Sequence, residues 1–272
     1  MILYSPAKIN IGLHITARRP DGFHELQSLM QPIGLCDILE IREADAGGPG
    51  LLFSRSGRSP GASPGQNLCE KAYRLMAGEV DLPPVRLHLH KQIPVGAGLG
   101  GGSSNASTTL AGLNRLLGEP LPPGRLHEMA ASLGSDCPFF LHSGPMIMEG
   151  RGELLSPSPA DLRGLYLVVL FPEIGISTRE AYAGVSPGNR EEHLTSLLAR
   201  PPGVWRSTVF NDFEPSVFDT HPRLGQMKEA LYAAGAVYAS LSGSGSSLYG
   251  LFRDPPLLPD GLENFLVWTG RL

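Results

Sequence analysis

The run Pro94-Val95-Gly96-Ala97-Gly98-Leu99-Gly100-Gly101-Gly102-Ser103-Ser104-Asn105-Ala106 holds five glycines and two serines between Gly96 and Ala106, directly before a segment with helical spacing. Glycines let backbone N–H groups turn inward and approach a ligand closely. The first turn of a helix adds N–H donors that have no intrahelical partner, and a partial positive charge. Together they form a cradle for phosphate. No lysine follows the glycines, so the run is not a P-loop. Gly96, Gly98 and Gly101 meet the dinucleotide-binding spacing, a weak signal in so glycine-rich a stretch. A flexible Gly/Ser linker fits poorly with apolar periodic segments at both ends.

Other chemistry-bearing side chains are sparse. Lys8 and Asn10 share the polar face of a segment whose Ile9, Ile11, Leu13 and Ile15 alternate with polar residues, about 7 Å apart if that segment is a half-buried strand. His88 and His90 share one strand face as a metal half-site, but no third ligand is evident. Cys36, Cys69 and Cys137 are far apart and in no paired spacing, which excludes a disulfide framework and a cysteine zinc site and suits a reducing cytoplasm. Four lysines stand against eighteen arginines, and the net charge of −4 argues against a nucleic-acid partner. No apolar run reaches a membrane span, and no signal peptide is expected.

The elements that must position these residues read as alternating strands and helices. Strands are expected near Ile9–Ile15, Leu29–Leu35, Ile38–Ile41, Val85–Leu89, Leu165–Phe171, Ala236–Leu241 and Ser247–Phe252. Asn67 and Glu70 form a capping-box pattern opening a helix that stops near Gly78. Further helices follow the glycine run to Gly118, end at Gly134, and lie near Arg190–Ala199 and Pro222–Ala234. Ala46 to Gln66, rich in Gly, Pro, Ser and Arg, reads as exposed loop. A composition shift at Leu155-Ser156-Pro157-Ser158-Pro159 places a boundary near residue 156, giving domains 1–155 and 156–272.

Three further segments sharpen the phosphate reading: Pro6-Ala7-Lys8-Ile9-Asn10, Gly134-Ser135-Asp136-Cys137-Pro138-Phe139-Phe140, and Leu241-Ser242-Gly243-Ser244-Gly245-Ser246. With the central Gly-Leu-Gly-Gly-Gly-Ser-Ser-Asn, their order resembles the GHMP kinases. Asp21-Gly22-Phe23-His24-Glu25-Leu26-Gln27-Ser28, Glu149-Gly150-Arg151-Gly152-Glu153 and Asn211-Asp212-Phe213-Glu214-Pro215 extend the resemblance, which runs from Pro6 to about Phe252.

The resemblance implies two α+β domains, an N-terminal one like domain 2 of ribosomal protein S5 that binds ATP and a ferredoxin-like C-terminal one for substrate, with the site in the cleft. It implies ATP and Mg²⁺, with Pro94, Gly96, Gly98, Leu99, Gly100, Gly101, Gly102, Ser103 and Ser104 around the phosphates and Asn67 and Lys91 near adenine. Nearest is the branch acting on a cytidine-diphosphate-linked methylerythritol, phosphorylating its tertiary 2-hydroxyl. In that reading Phe23 and Tyr182 sandwich the cytosine, His24 reads its edge, Asn10, Thr178, Gly243 and Ser244 hold the substrate, and Lys8 and Asp136 are the catalytic pair. Ala97, Ser135 and Tyr182 depart from residues familiar in that branch. Two alternatives stay open: another GHMP kinase acting on homoserine, mevalonate or a sugar, and a non-catalytic nucleotide- or RNA-binding protein on the same fold.

Overall fold

The computed structural model describes residues 1–45, 47–58, 65–185, 187–188, 190 and 192–272. In chain order the elements are β1 (Ile2–Arg18), β2 (His24–Glu43), β3 (Leu51–Gly57), α1 (Leu68–Ala77), β4 (Val85–Lys91), α2 (Gly101–Leu116), α3 (Pro123–Leu133), β5 (Met146–Gly150), β6 (Leu154–Pro157), β7 (Tyr166–Leu170), α4 (Thr178–Ala183), α5 (Leu194–Leu198), α6 (Glu214–Thr220), α7 (Pro222–Ala233), β8 (Tyr238–Leu241), β9 (Leu248–Phe252) and β10 (Leu266–Arg271). They form two compact units interleaved in sequence. Unit 1 holds Met1–Ala7, Gly34–Val95 and Gly100–Ser143, and unit 2 holds Lys8–Ile33, Gly96–Leu99 and Gly144–Leu272.

In unit 1, β2 runs antiparallel to β4, with Leu39 opposite Leu89 and Ile41 opposite Leu87. β3 lies parallel to β4, Phe53 opposite Leu87. Alternation along β4 puts Val85, Leu87 and Leu89 on the inner face, where they meet Cys69, Ala72 and Met76 of α1, Ala106, Leu110 and Leu113 of α2, and Met129 and Ala130 of α3. Burying each larger side chain stabilises the unit by about 1.5–3 kcal/mol. Asn67 caps α1 as expected: its side chain accepts the Cys69 N–H at 2.9 Å, and the Glu70 carboxylate returns to the Asn67 N–H at 3.3 Å.

Residues 51–57, expected to be loop, form β3. Leu51 and Phe53 pack inward on the same core while Leu52 and Ser54 face outward, a period-two pattern hidden by the flanking Gly and Pro. Residues 59–64 of that stretch lie outside the described residues. The expected strands near Leu29–Leu35 and Ile38–Ile41 are one continuous strand, β2.

Unit 2 contains an antiparallel sheet in the order β10-β7-β9-β8. Val168 pairs with Gly250, and Leu241 with Leu248. Helix α7 packs on β8 and β9 and against α6. In the same unit, the first part of β2 pairs with β5, and β5 with β6. Strand β1 is not half-buried: Lys8 is 3% and Asn10 2% exposed, so its polar face is covered as well as its apolar one. The polar face carries partners rather than water, and those partners belong to the site.

Candidate active site

Unit 1 presents the start of α2. Gly100 precedes the helix in the left-handed region at φ 69°, and no side chain caps it. The first helical bond runs from the Ser104 N–H to the Gly100 carbonyl at 2.9 Å. The N–H groups of Gly101, Gly102 and Ser103 precede that bond, and the first turn carries no acidic residue. A donor-rich, uncapped helix start is a phosphate site.

A buried polar cluster fixes this helix. The Asp37 carboxylate, fully buried, accepts the backbone N–H groups of Gln92 at 2.7 Å and Ile93 at 2.9 Å and the Asn105 amide at 2.8 Å, and is in close contact with the Lys91 ammonium. Asn105 also donates to the Ser5 hydroxyl at 2.9 Å, which shares a hydrogen bond with Ser104 at 2.8 Å. The cluster ties the end of β4, where the glycine run begins, to the second turn of the helix that ends it. Lys91 is therefore buried in an ion pair, and Asn67 serves as a helix cap.

The turn that carries Asp136 is pinned to the same helix. The Ser107 hydroxyl donates to the Cys137 carbonyl at 2.6 Å, and the Cys137 N–H donates to Gly134 at 3.0 Å. Burial pushes the Cys137 thiol up to about 11, against the lowering effect of a hydrogen bond with Ser103. Asp136, half-buried, is adjacent to that cysteine and so lies close to Ser103 in the first turn of α2.

Unit 2 holds Gly96 to Leu99 and the opposite chemistry. The Lys8 ammonium donates to the Gly98 carbonyl at 3.0 Å and is in close contact with Asn10 Oδ1. Asn10 Nδ2 donates to Ser28 at 2.9 Å, and the Lys8 N–H bonds the Leu99 carbonyl at 3.0 Å. Ser242, fully buried, donates from Oγ to the Gly98 carbonyl at 2.9 Å and accepts the Asn10 N–H at 3.3 Å. The Tyr249 hydroxyl donates to the Asn10 carbonyl at 2.7 Å. Gly98 has φ +75°, and any Cβ there would overlap the Ser242 carbonyl. Only glycine lets this loop approach the Ser242 turn so closely.

The residues read as base-binding are also in unit 2. His24 and Tyr182 stack with ring centroids 4.8 Å apart, and Tyr182 meets Phe213 edge-on at 4.9 Å. Phe23 is 53% exposed, with the Arg151 guanidinium 5.1 Å over its ring. The structure therefore brings His24 to Tyr182, while Phe23 pairs with Arg151. Thr178 opens α4, but its side chain lies outside the described residues. Gly243 is buried in the turn after β8, and Ser244 is half-buried there.

Asp37, Ser5 and Ser242 are the structural partners that spacing arguments overlook. Asp37 had one signal, a carboxylate inside the apolar run Leu35-Cys36-Asp37-Ile38-Leu39. Ser242 lies in the segment Leu241–Ser246, which reads from sequence as a backbone clamp near substrate phosphates; its side-chain bonds to Gly98 and Asn10 are not legible there.

His14, 1% exposed on β1, has no hydrogen-bond partner for Nε2 among the described residues. Burial, then the Arg190 charge, lower its imidazole to about 4, with Asp212 opposing. The unfolded chain binds this proton below about pH 6.5 and the folded protein does not. Stability is therefore intact above pH 6.5 and falls as pH drops towards 4, by about 3 kcal/mol from this group. Urea titrations from pH 7 to 4.5 check this: His14→Leu should lack that part of the slope, and an identical slope in both proteins would exclude it.

Residues 67–144 match the family model of the GHMP kinases N terminal domain, and residues 204–262 that of the GHMP kinases C terminal. The 4-diphosphocytidyl-2-C-methyl-D-erythritol kinase of Bacteroides thetaiotaomicron (strain ATCC 29148) is 43% identical over 274 residues, covering 100% of both chains. The chain belongs to the GHMP kinase family, in its 4-diphosphocytidyl-2-C-methyl-D-erythritol kinase branch. A crystal structure of a 4-(cytidine 5'-diphospho)-2C-methyl-D-erythritol kinase superposes on this GHMP kinase with TM-score 0.79 at 33% identity, covering 92% of this chain and 90% of that one. Homoserine kinase from Cytophaga hutchinsonii, at 19% identity and TM-score 0.66 over 92% of this chain and 86% of that one, shares the fold. The chain is a small-molecule kinase, for which the family implies ATP as phosphoryl donor. No helix among the described residues is long and apolar enough to cross a membrane.

Proposed function

We propose that this chain transfers the γ-phosphoryl group of ATP to the 2-hydroxyl of 4-diphosphocytidyl-2-C-methyl-D-erythritol. One observation carries the reading. Each of the two reactive groups is tied to the glycine run or the helix it opens within its own unit, Lys8 on the Gly98 carbonyl and the Asp136 turn on α2 through Ser107 to the Cys137 carbonyl and Ser103 to the Cys137 thiol. Gly96 to Ser104 take the ATP phosphates, with Pro94 fixing the approach. Asn67 and Lys91 serve the adenine side through the backbone they hold.

Phosphoryl transfer is governed by positioning and by charge stabilisation, because its transition state is loose. Asp136 accepts the proton of the attacking hydroxyl. Lys8 offsets charge on the transferring group, and its bonds to Asn10 and Gly98 hold the ammonium in one place. No cluster of three or more His, Cys, Asp or Glu side chains suited to a metal occurs among the described residues. Mg²⁺ therefore fits as an ion held mainly by phosphates and water, with Ser103 the available hydroxyl, since Ser104 is buried on Ser5. When bound, it neutralises charge on the β- and γ-phosphate oxygens.

Substrate enters through the cytidine. Tyr182 stacks on the base, His24 meets its polar edge, Phe23 flanks it, and Asn10, Thr178, Gly243 and Ser244 take the remainder. Stacking is worth about 1–3 kcal/mol per base. Tyr182→Ala is expected to raise KM for the cytidylated substrate about tenfold or more and to leave KM for ATP unchanged. Steady-state kinetics with each substrate varied check this, and equal effects on both would remove the stacking role.

The test of the function itself is a substrate panel with coupled ADP detection. The cytidylated methylerythritol should release ADP; homoserine, mevalonate and galactose should not. Turnover of one of those three alone would overturn the reading.

A further inference from the structure

The segment Asn211-Asp212-Phe213-Glu214 has no part in the roles above, yet its side chains are fully committed. Residues 210–212 lie alongside β1: Leu13 bonds the Phe210 carbonyl at 2.9 Å, and the Asp212 N–H bonds the Leu13 carbonyl at 2.8 Å. Asp212 Oδ2 accepts the Ile15 N–H at 2.8 Å. From this fixed base Asn211, 1% exposed, reaches the turn after β8. Its Nδ2 donates to the Leu241 carbonyl at 2.9 Å and the Gly243 carbonyl at 2.8 Å, and its Oδ1 accepts the Phe213 N–H at 3.0 Å. The opposite amide orientation would set oxygen against two carbonyl oxygens, so the network fixes which atom is which.

Both amide hydrogens thus bracket Ser242, the residue that bonds Gly98 and Asn10. Gly243 stands in the left-handed region at φ +57°, and a Cβ there would come within 3.3 Å of Asn10 Oδ1 and 3.5 Å of Lys8 Nζ. The turn is therefore packed directly on the lysine–asparagine pair. Glu214 supports the same turn by accepting the Leu241 N–H at 2.9 Å and the Ser240 hydroxyl at 2.8 Å.

We propose that Asn211 is a positioning residue for phosphoryl transfer: by clamping the Leu241 and Gly243 carbonyls it fixes the Ser242–Gly243 turn that holds Lys8 and Asn10 in reactive register. This role rests on the function proposed above, and Asn211 exerts it through the turn, since its amide is spent on the Leu241 and Gly243 carbonyls and the Phe213 N–H. A displacement of about 1 Å at reacting groups costs on the order of 10²-fold in rate.

The experiment compares wild type, Asn211→Ala and Tyr232→Phe on ATP and the cytidylated methylerythritol, with thermal unfolding measured for each. Tyr232 donates one hydrogen bond, to the Ala239 carbonyl at 3.1 Å, and serves as a control for simple loss of stability in the same unit. Asn211→Ala should lower kcat by about 10²-fold at a temperature where it is fully folded, with KM for ATP within about twofold of wild type. Tyr232→Phe should lose stability while kcat stays within about twofold. If Asn211→Ala does not fold, Asn211→Ser, which is uncharged and too short to reach both carbonyls, is held to the same criterion. A folded Asn211 variant with near-normal kcat, or one that loses no more than the tyrosine control, overturns the proposal. Absence of turnover by wild type itself would instead overturn the function on which it rests.

Discussion

An Asp136→Asn variant is expected to bind ATP as the wild type does and to turn over about 10²–10⁴-fold more slowly. The two side chains are nearly the same size. The turn is held by main-chain and serine contacts that the substitution leaves in place, from Ser107 to the Cys137 carbonyl and from Cys137 to Gly134. What changes is chemistry: an amide cannot accept the hydroxyl proton. Phosphoryl-transfer enzymes also draw much of their rate from positioning, so a residual rate remains. Single-turnover kinetics with excess enzyme, alongside calorimetric ATP binding, separate the two effects. Unchanged turnover would remove Asp136 from the mechanism, and loss of ATP binding would recast it as a nucleotide-binding group.

Asp37→Ala is expected to be the most damaging single change to stability, by about 3–5 kcal/mol, because it leaves the buried Lys91 ammonium without its counter-charge. Asn105 Oδ1, 3.2 Å from the ammonium, is the acceptor that remains to it in the cluster. The Gln92 and Ile93 N–H groups lose their acceptor as well. Against a total stability of about 5–15 kcal/mol this is a large fraction, and unit 1 should melt on the order of 10 °C lower. Replacing both charges, as in Asp37→Leu with Lys91→Met, should recover part of that loss. Thermal denaturation of the single and double variants checks this; a single variant within about 1 kcal/mol of wild type would contradict the buried-pair assignment.

The legible parts of this chain were those where local pattern and global structure agree. The capping box at Asn67 and Glu70, the alternation along Val85–Leu89 and the buried strand at Tyr166–Leu170 follow from local rules. So does the helix after Gly100, which needs only the glycine run before it and leucines at helical spacing. β3 is obscured because its short period-two alternation is set in Gly- and Pro-rich surroundings that read as loop. α5 covers only Leu194–Leu198 of a longer expected helix. Helix α4 is opened by a Ser177–Glu180 capping box, a local signal of the same kind as that at Asn67 and Glu70. Helix α6 begins at Glu214, just after Asn211 and Asp212, whose residue types mark a helix start in sequence.

The site divides the same way. The glycine run announced itself by composition. The alternation in β1 reads as a half-buried strand, because nothing local reveals that Ser242, Gly243 and Tyr249, more than 200 residues away, cover its polar face. Asp37 and Lys91 are likewise joined only by the fold. Partners that meet across long sequence separations leave no periodic trace in either segment.

The most direct measurement follows phosphorus itself. Wild-type protein is incubated with ATP, Mg²⁺ and 4-diphosphocytidyl-2-C-methyl-D-erythritol, and the products are resolved by ³¹P NMR. A new phosphomonoester resonance should grow with ADP while the cytidine diphosphate signals persist, and Asp136→Asn should yield it far more slowly. ADP formed with no new monoester, or a monoester formed equally fast by the Asp136 variant, would contradict transfer to that hydroxyl by the groups named here.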